Sequence, residues 1–152
     1  MTLFSRHRDA PWDAGRWPHF STRELACRCR RHCEGEYWHD PDFLDRLEAL
    51  RAAMDAPLRI SSGRRCALHN AEVRGAPLSR HKRAIAADIV LTGHDPARLA
   101  RAARDAGFTG IGFGRTFLHV DNRVRPARWH YPGGRALWVQ RLGRDPVISE
   151  DW

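Results

Sequence analysis

Two stretches of the chain carry residue types that can do ionic chemistry. In Ser79-Arg80-His81-Lys82-Arg83-Ala84-Ile85-Ala86-Ala87-Asp88, a histidine is followed seven residues later by an aspartate entering an apolar run. The other stretch is Phe117-Leu118-His119-Val120-Asp121. Side chains alternate between the faces of a strand, so His119 and Asp121 share one face with Phe117 while Leu118 and Val120 turn to the core. Together His81, Asp88 and His119 offer two imidazoles and a carboxylate, a sufficient set for a catalytic zinc that keeps its fourth position for water with a pKa near ~7. The same residues have an ordinary reading. The chain holds nine histidines, any of which can be a surface or hydrogen-bonded core residue, Asp88 can be a plain strand-end acid, and no dense His-Glu-x-x-His motif is present.

The four cysteines are a separate constellation: Cys27, Cys29 and Cys33 cluster, and Cys66 adjoins a Ser-Gly-Arg segment. Four thiolates can hold a structural metal, although Cys-x-Cys-x3-Cys is not a standard finger spacing. Disulfides are the other use and need an oxidising compartment. Free thiols are a third, for at least two of the four. His32, His39 and His69 lie near enough in sequence to compete for any metal there.

Positioning these residues falls to a small set of elements. Phe43, Leu44, Leu47, Leu50 and Met54 recur on one face after a polar start and an early proline, which predicts a helix over residues 40–54. Residues 58–62 read as a short strand, 65–72 as a helical turn, and 86–91 as a buried strand. A second helix is expected from Pro96 to Ala106, with Leu99, Ala102 and Ala103 inward and Gly107 as its stop. Two strands follow, around Gly110–Phe113 and Phe117–Asp121. Blocks of this kind predict an α+β domain with a small antiparallel sheet flanked by helices.

A chain of 152 residues, 42% hydrophobic and 29% charged, has the length and composition of one domain with one core. The expected division is an N-terminal arm over 1–19, a catalytic domain over 20–131, and an extension over 132–152 packed on the same domain. No apolar run is long enough to cross a membrane. The first residues lack the apolar stretch and cleavage site of a secretory signal, which predicts synthesis in the cytoplasm and separate release for any target outside it. The net charge is +8, and Lys82 is the only lysine. That charge favours a polyanion such as the bacterial envelope, but the arginines are spread along the chain without interleaved aromatics, so no specific nucleic-acid groove is indicated. A monomer is assumed.

Taken in order, Ser79-x-His81-x-x-Ala84-x-Ala86-x-Asp88 and His119-Val120-Asp121 resemble the zinc D-alanyl-D-alanine carboxypeptidase family. That family is similar to phage L-alanyl-D-glutamate endolysins and bacterial cross-link endopeptidases, and more distantly to the hedgehog signalling domain. Phe20-Ser21 with Glu24-Leu25, the helix end at Leu47–Arg51, Ile60-Ser61-Ser62-Gly63 with Arg65 and Asn70, Gly75-Ala76-Pro77, Gly110-Ile111-Gly112 and Arg128-Trp129 agree in the same order, from about Phe20 to Trp129. The resemblance implies a hedgehog/DD-peptidase-like fold and Zn2+ on His81, Asp88 and His119. It further implies hydrolysis of peptidoglycan stems or cross-links containing D-amino acids, and the cell wall as place of action, reached during phage or prophage lysis. Arg65 is then expected to meet a substrate carboxylate or the oxyanion, with Arg64 a competing choice. Ser79 is expected to orient the first metal loop and Trp129 to line the substrate site. A Cys27–Cys66 disulfide is implied by cysteines near both positions in similar phage proteins.

Two positions depart from the pattern. Ala84 stands where most relatives have glycine, which matters only if the backbone needs positive φ. Thr116 stands where many relatives carry the general base, and threonine cannot act as one. Asp121 is the natural substitute, or else it orients His119; His130 is a further candidate for protonating the leaving amine. The missing base also supports a rival reading, a catalytically inactive zinc-binding module that serves as a structural or wall-binding part of a virion.

Overall fold

The computed structural model describes residues 1–152. Its centre is a five-stranded sheet of β3 (Ile60–Ser62), β4 (Ala86–Val90), β6 (Phe117–Asp121), β5 (Gly110–Phe113) and β7 (Ala127–His130), in that spatial order. The first three contacts across the sheet are antiparallel, and β7 lies parallel to β5. The sheet is therefore mixed, which corrects the purely antiparallel expectation while leaving the α+β class intact.

One face of the sheet is the core. Ala87 and Ile89 of β4, Leu118 and Val120 of β6, and Ile111 and Phe113 of β5 are all buried there. Helix α2 (Pro41–Met54) covers this face with Phe43, Leu44, Leu47, Leu50 and Met54, the five positions its periodicity predicted. Asp40 caps it, accepting a hydrogen bond from the Asp42 amide, and Pro41 occupies the first turn where no amide bond is lost. Helix α5 (Pro96–Asp105) packs beside it through Leu99, Ala100 and Ala103, and the edge-to-face contact of Phe43 with Phe108 continues that seam. No helix is long and apolar enough to cross a membrane.

The chain ends close around this core. Strand β1 (Thr2–Phe4) pairs antiparallel with β2 (Tyr37–His39) as a separate ribbon, and Trp17 is buried. Past β7, helix α6 (Arg135–Leu142) buries Trp138 against Phe113, with the indole N–H donating to the Gly114 carbonyl at 2.7 Å. Helices α1 (Thr22–Leu25), α3 (Ala67–Glu72) and α4 (Arg80–Arg83) are one or two turns long.

Candidate metal centre

The face of the sheet opposite the core holds the chemistry. Strands β4 and β6 pair so that Asp88 is directly opposite His119, and α4 brings His81 over them. His81 was expected in a loop; it sits instead in a single helical turn opened by Ser79, whose carbonyl accepts from the amides of Lys82 and Arg83. The hydroxyl of Ser79 makes no capping bond, so its part in the turn is played by its backbone. Ala84 ends the turn at φ −153°, extended backbone open to any residue, so the replacement of glycine there causes no strain.

Three donor atoms converge. His81 Nε2 lies 3.0 Å and His119 Nδ1 2.9 Å from Asp88 Oδ1, and the two ring nitrogens are 2.9 Å apart. Hydrogen bonds on the far sides of the rings fix what these atoms carry. His81 Nδ1 is 2.6 Å from the Gly63 carbonyl, and His119 Nε2 is 3.0 Å from Asp121 Oδ2. Both partners can only accept, so both far nitrogens hold the proton and both near nitrogens present lone pairs. Two lone pairs and a carboxylate oxygen in mutual contact, nearly closed from solvent, have no donor among them and are complementary to a cation. The donor set suits a divalent ion that prefers nitrogen and oxygen.

A proton is the smallest cation that fits, and the two histidines divide over it. Burial lowers His81 despite the pull of Asp88, with His119 and Arg65 adding to the lowering. Burial also opposes charge on His119, but its bonds to Asp121 and Asp88 outweigh burial and raise it. His119 has two carboxylate partners and His81 one. Asp88 is held below the usual carboxylate range, against its burial, by His81 and His119.

Asp121 stands behind His119. Besides the imidazole it accepts Arg123 Nη2 at 2.5 Å on Oδ2, and Arg123 Nε at 2.9 Å and the Arg123 amide at 3.0 Å on Oδ1. It is buried, and the guanidinium and His119 hold its carboxyl ionised against that burial. The His119 ring separates it from the donor cluster. Room for this arrangement comes from Gly110 on β5, Asp121's register partner, where a Cβ would lie 2.1 Å from Asp121 Oδ1.

Two aromatic side chains wall the site. Trp129 is 5.1 Å and Tyr131 6.3 Å from the His119 ring, centre to centre. They reach it over Gly112, where a Cβ would meet Tyr131 at 2.6 Å and Trp129 at 2.7 Å. The Arg123 guanidinium stacks on Trp129 at 4.4 Å. Burial and the nearby charge of Asp88 push the Tyr131 phenol up to about 12, so it stays a neutral donor. Neither Tyr131 nor Arg123 was singled out from the sequence. Continuing the alternation one step past Trp129 finds the first; the second carries no local signal.

The structure separates the two adjacent arginines. Arg64 is buried and pairs with Glu36 at 2.6 Å, whereas Arg65 keeps its Nε buried without a hydrogen-bond partner and acts electrostatically on both His81 and Tyr131. Thr116 is an exposed turn residue whose carbonyl accepts the Leu91 amide. His130 corrects the expectation. Strand alternation turns it away from Trp129 to the opposite face, where its Nε2 bonds Asp145 at 2.7 Å and its ring packs on Phe113. It cannot reach the cluster around Asp88.

The cysteines also converge, as four thiols without a disulfide. The expected Cys27–Cys66 disulfide is not formed in the structure: the Cys66 amide donates to Cys27 Sγ at 3.3 Å.

Comparison with known proteins identifies relatives. Over 67 residues the chain is 42% identical to the zinc D-Ala-D-Ala carboxypeptidase of Streptomyces albus G, a stretch that makes up 43% of this chain and 26% of that protein. The chain thus spans about a quarter of that relative's length. The family model described as Peptidase M15 matches residues 18–121, a span that takes in β3 to β6 and all three converging donors. The chain belongs to the peptidase M15 family.

Proposed function

We propose that this protein is a zinc peptidase that hydrolyses D-amino-acid-containing peptide bonds of peptidoglycan, with His81, Asp88 and His119 as the ligands. The observation that carries the proposal is the convergence of two lone-pair nitrogens and a carboxylate oxygen within 3.0 Å of one another, in a family of peptidases. A zinc ion there supplies a Lewis acid and water of lowered pKa.

The chain's own residues supply the rest. Gly63 and Asp121 hold the two imidazoles in the tautomers that leave Nε2 of His81 and Nδ1 of His119 free to ligate. Asp121 is an orienting group, since its oxygens are taken by His119 and Arg123. Arg65 offers an unpaired, charged guanidinium to a substrate carboxylate or a developing negative charge, and the Tyr131 phenol adds a neutral donor. Trp129 gives the peptide a flat apolar surface. A phage or prophage lysis role is supported by the resemblance to endolysins, and attraction to the anionic wall by the net charge of +8.

One observation favours a second reading. Thr116 stands at the position of the base and Asp121 is turned away from the cluster, so a wall-binding module that holds zinc without turnover fits the same fold. The test is turbidity loss of purified peptidoglycan with mass analysis of the fragments. It compares wild type, protein stripped by chelator and resupplied with zinc, and His119→Ala. Zinc-restored cleavage that vanishes in the variant supports the peptidase, and the fragment masses name the bond; a folded, zinc-loaded wild type that binds wall but releases nothing supports the module.

A further inference from the structure

The loop from Ala26 to Glu36 has no apolar cluster of its own beyond its cysteines, and it contains no helix or strand. It nevertheless folds tightly, with Arg30 at φ 55° and Gly35 at φ 86°, a left-handed turn at a non-glycine residue that something must hold. Three of its side chains are Cys27, Cys29 and Cys33. The fourth thiol, Cys66, arrives from the sheet side, where it caps α3 immediately after Arg65.

We propose that these four thiols bind a second, structural zinc ion, separate from the site of His81, Asp88 and His119. All four Sγ atoms lie within 4.8 Å of one another. Cys29 Sγ is 3.6 Å from Cys33 Sγ and 3.8 Å from Cys66 Sγ. A tetrahedron of thiolates at a Zn–S distance of about 2.3 Å has edges of about 3.8 Å, whereas a disulfide needs about 2.05 Å.

Hydrogen-bond donors surround the sulfurs. The Cys66 amide donates to Cys27 Sγ at 3.3 Å and the His69 amide to Cys66 Sγ at 3.5 Å. His69 Nδ1 lies 3.3 Å from Cys27 Sγ, and the amides of Arg31 and His32 face Cys29 Sγ. Donors directed at the ligating atoms fix their orientation and spread their charge. Two of the sulfurs are buried and two half-buried, so the ion is enclosed by protein, as in closed structural sites.

Such a site ties the start of the chain to the active-site wall. The Leu25 carbonyl already accepts the Arg64 amide at 2.8 Å, and the Arg65 amide donates to the His81 carbonyl at 2.7 Å. Closing the thiol cluster on Cys66 fixes the chain on the other side of that Arg64–Arg65 pair. The second ion is thereby a positioning device for Arg65.

The test uses the full chain, purified without chelator and then loaded with cobalt in place of zinc. Elemental analysis is expected to give two zinc ions per wild-type chain, and cobalt loading to produce thiolate-to-metal charge-transfer absorption in the near ultraviolet. His119→Ala should keep that absorption with one ion fewer; the double variant Cys29→Ser, Cys33→Ser should lose it. If the double variant does not fold, alkylation of denatured, unreduced wild type decides, with four thiols modified after the metal is released. A cobalt-loaded wild type without thiolate absorption, or fewer than four alkylated thiols, overturns the proposal. Failure of the peptidase reading leaves the thiolate absorption unchanged, so the two are told apart.

Discussion

Replacing Asp121 by asparagine keeps the size of the group behind His119 and reverses half of its hydrogen bonding. In the native site every hydrogen-bond partner of Asp121 is a donor: His119 Nε2, Nε and Nη2 of Arg123 and the Arg123 amide. A carboxylate accepts from all of them. Asparagine has one accepting oxygen and one donating NH2. If the NH2 faces His119, the imidazole must accept on Nε2 and carry its proton on Nδ1, the atom that points at Asp88 and His81. If the NH2 faces Arg123, donors oppose donors and a partly buried guanidinium loses its partner. Either placement weakens the metal site. Loss of an outer partner of a ligating histidine costs about 10- to 100-fold in metal affinity, roughly 1.4–2.7 kcal/mol at about 1.36 kcal/mol per tenfold.

The assay is zinc affinity by competition with a chromophoric chelator, with circular dichroism confirming the fold of each protein. A loss of 10- to 100-fold in Asp121→Asn, with cleavage restored at saturating zinc to a substantial fraction of wild type, is the expected outcome. An affinity within about twofold of wild type combined with a cleavage rate lower by more than 100-fold refutes the reasoning, since that pattern belongs to a general base.

Two glycines on one strand should separate the metal site from the substrate wall. Gly110→Ala pushes on Asp121 and is expected to lower zinc affinity as Asp121→Asn does, with an overpacking cost of about 1–3 kcal/mol seen as a lower Tm; Gly112→Ala pushes on Trp129 and Tyr131 and should raise KM with zinc affinity retained. Arg65→Lys keeps the charge and loses the fork of donors, so kcat/KM is expected to fall about 10- to 100-fold with zinc affinity unchanged. His130, the Val147 amide and Arg135 hold Asp145 below the usual carboxylate range. A depressed carboxylate stabilises the fold above its unfolded pKa of about 3.9 and stops doing so as pH falls through the folded value. Asp145→Asn should therefore have a lower Tm than wild type at about pH 5, and the difference should close as pH falls below about pH 4.

Much of this was legible before any coordinate. Five apolar positions at helical spacing fixed α2 to within a residue, because a capping aspartate and a proline marked its start. The alternation in Phe117–Asp121 gave the buried and functional faces of β6 correctly, since Leu118 and Val120 have only one place to go. The family was likewise readable from ordered motifs, and the match over residues 18–121 bears it out. Strand β7 was not legible. Ala127-Arg128-Trp129-His130 has no apolar alternation, all four residues are half-buried, and its strand character comes from parallel pairing with β5. That missing strand is also why His130 looked available: without knowing that Trp129 faces the site, nothing in the sequence turns its neighbour away. For Asp121 strand alternation predicted the face but not the side of the ring, which depends on the rotamer of His119 and the approach of Arg123. The meeting of four cysteines was beyond spacing rules, since it requires the chain after Gly63 to pack backbone to backbone on Leu25.

The pairing of the strands explains why so few residues suffice. Ser62 is the register partner of Asp88, Asp88 of His119, His119 of Gly112, and Gly112 of Trp129. A single row across all five strands thus carries the carboxylate and one imidazole of the proposed metal site, a gap and an aromatic wall, with Gly63 next to its first member supplying the carbonyl that orients His81. Each member faces the same side only while every strand keeps its register, because a slip of one residue sends alternate side chains to the opposite face. Leu118 and Val120 on one strand and Ala87 and Ile89 on the next enforce that register from the core side. A slip of β6 by one residue would bury His119 and Asp121 among apolar groups and expose two core side chains. The hydrophobic alternation that folds the sheet is therefore also what aligns Asp88 with His119, and the proposed metal site needs no separate framework to hold the two opposite each other.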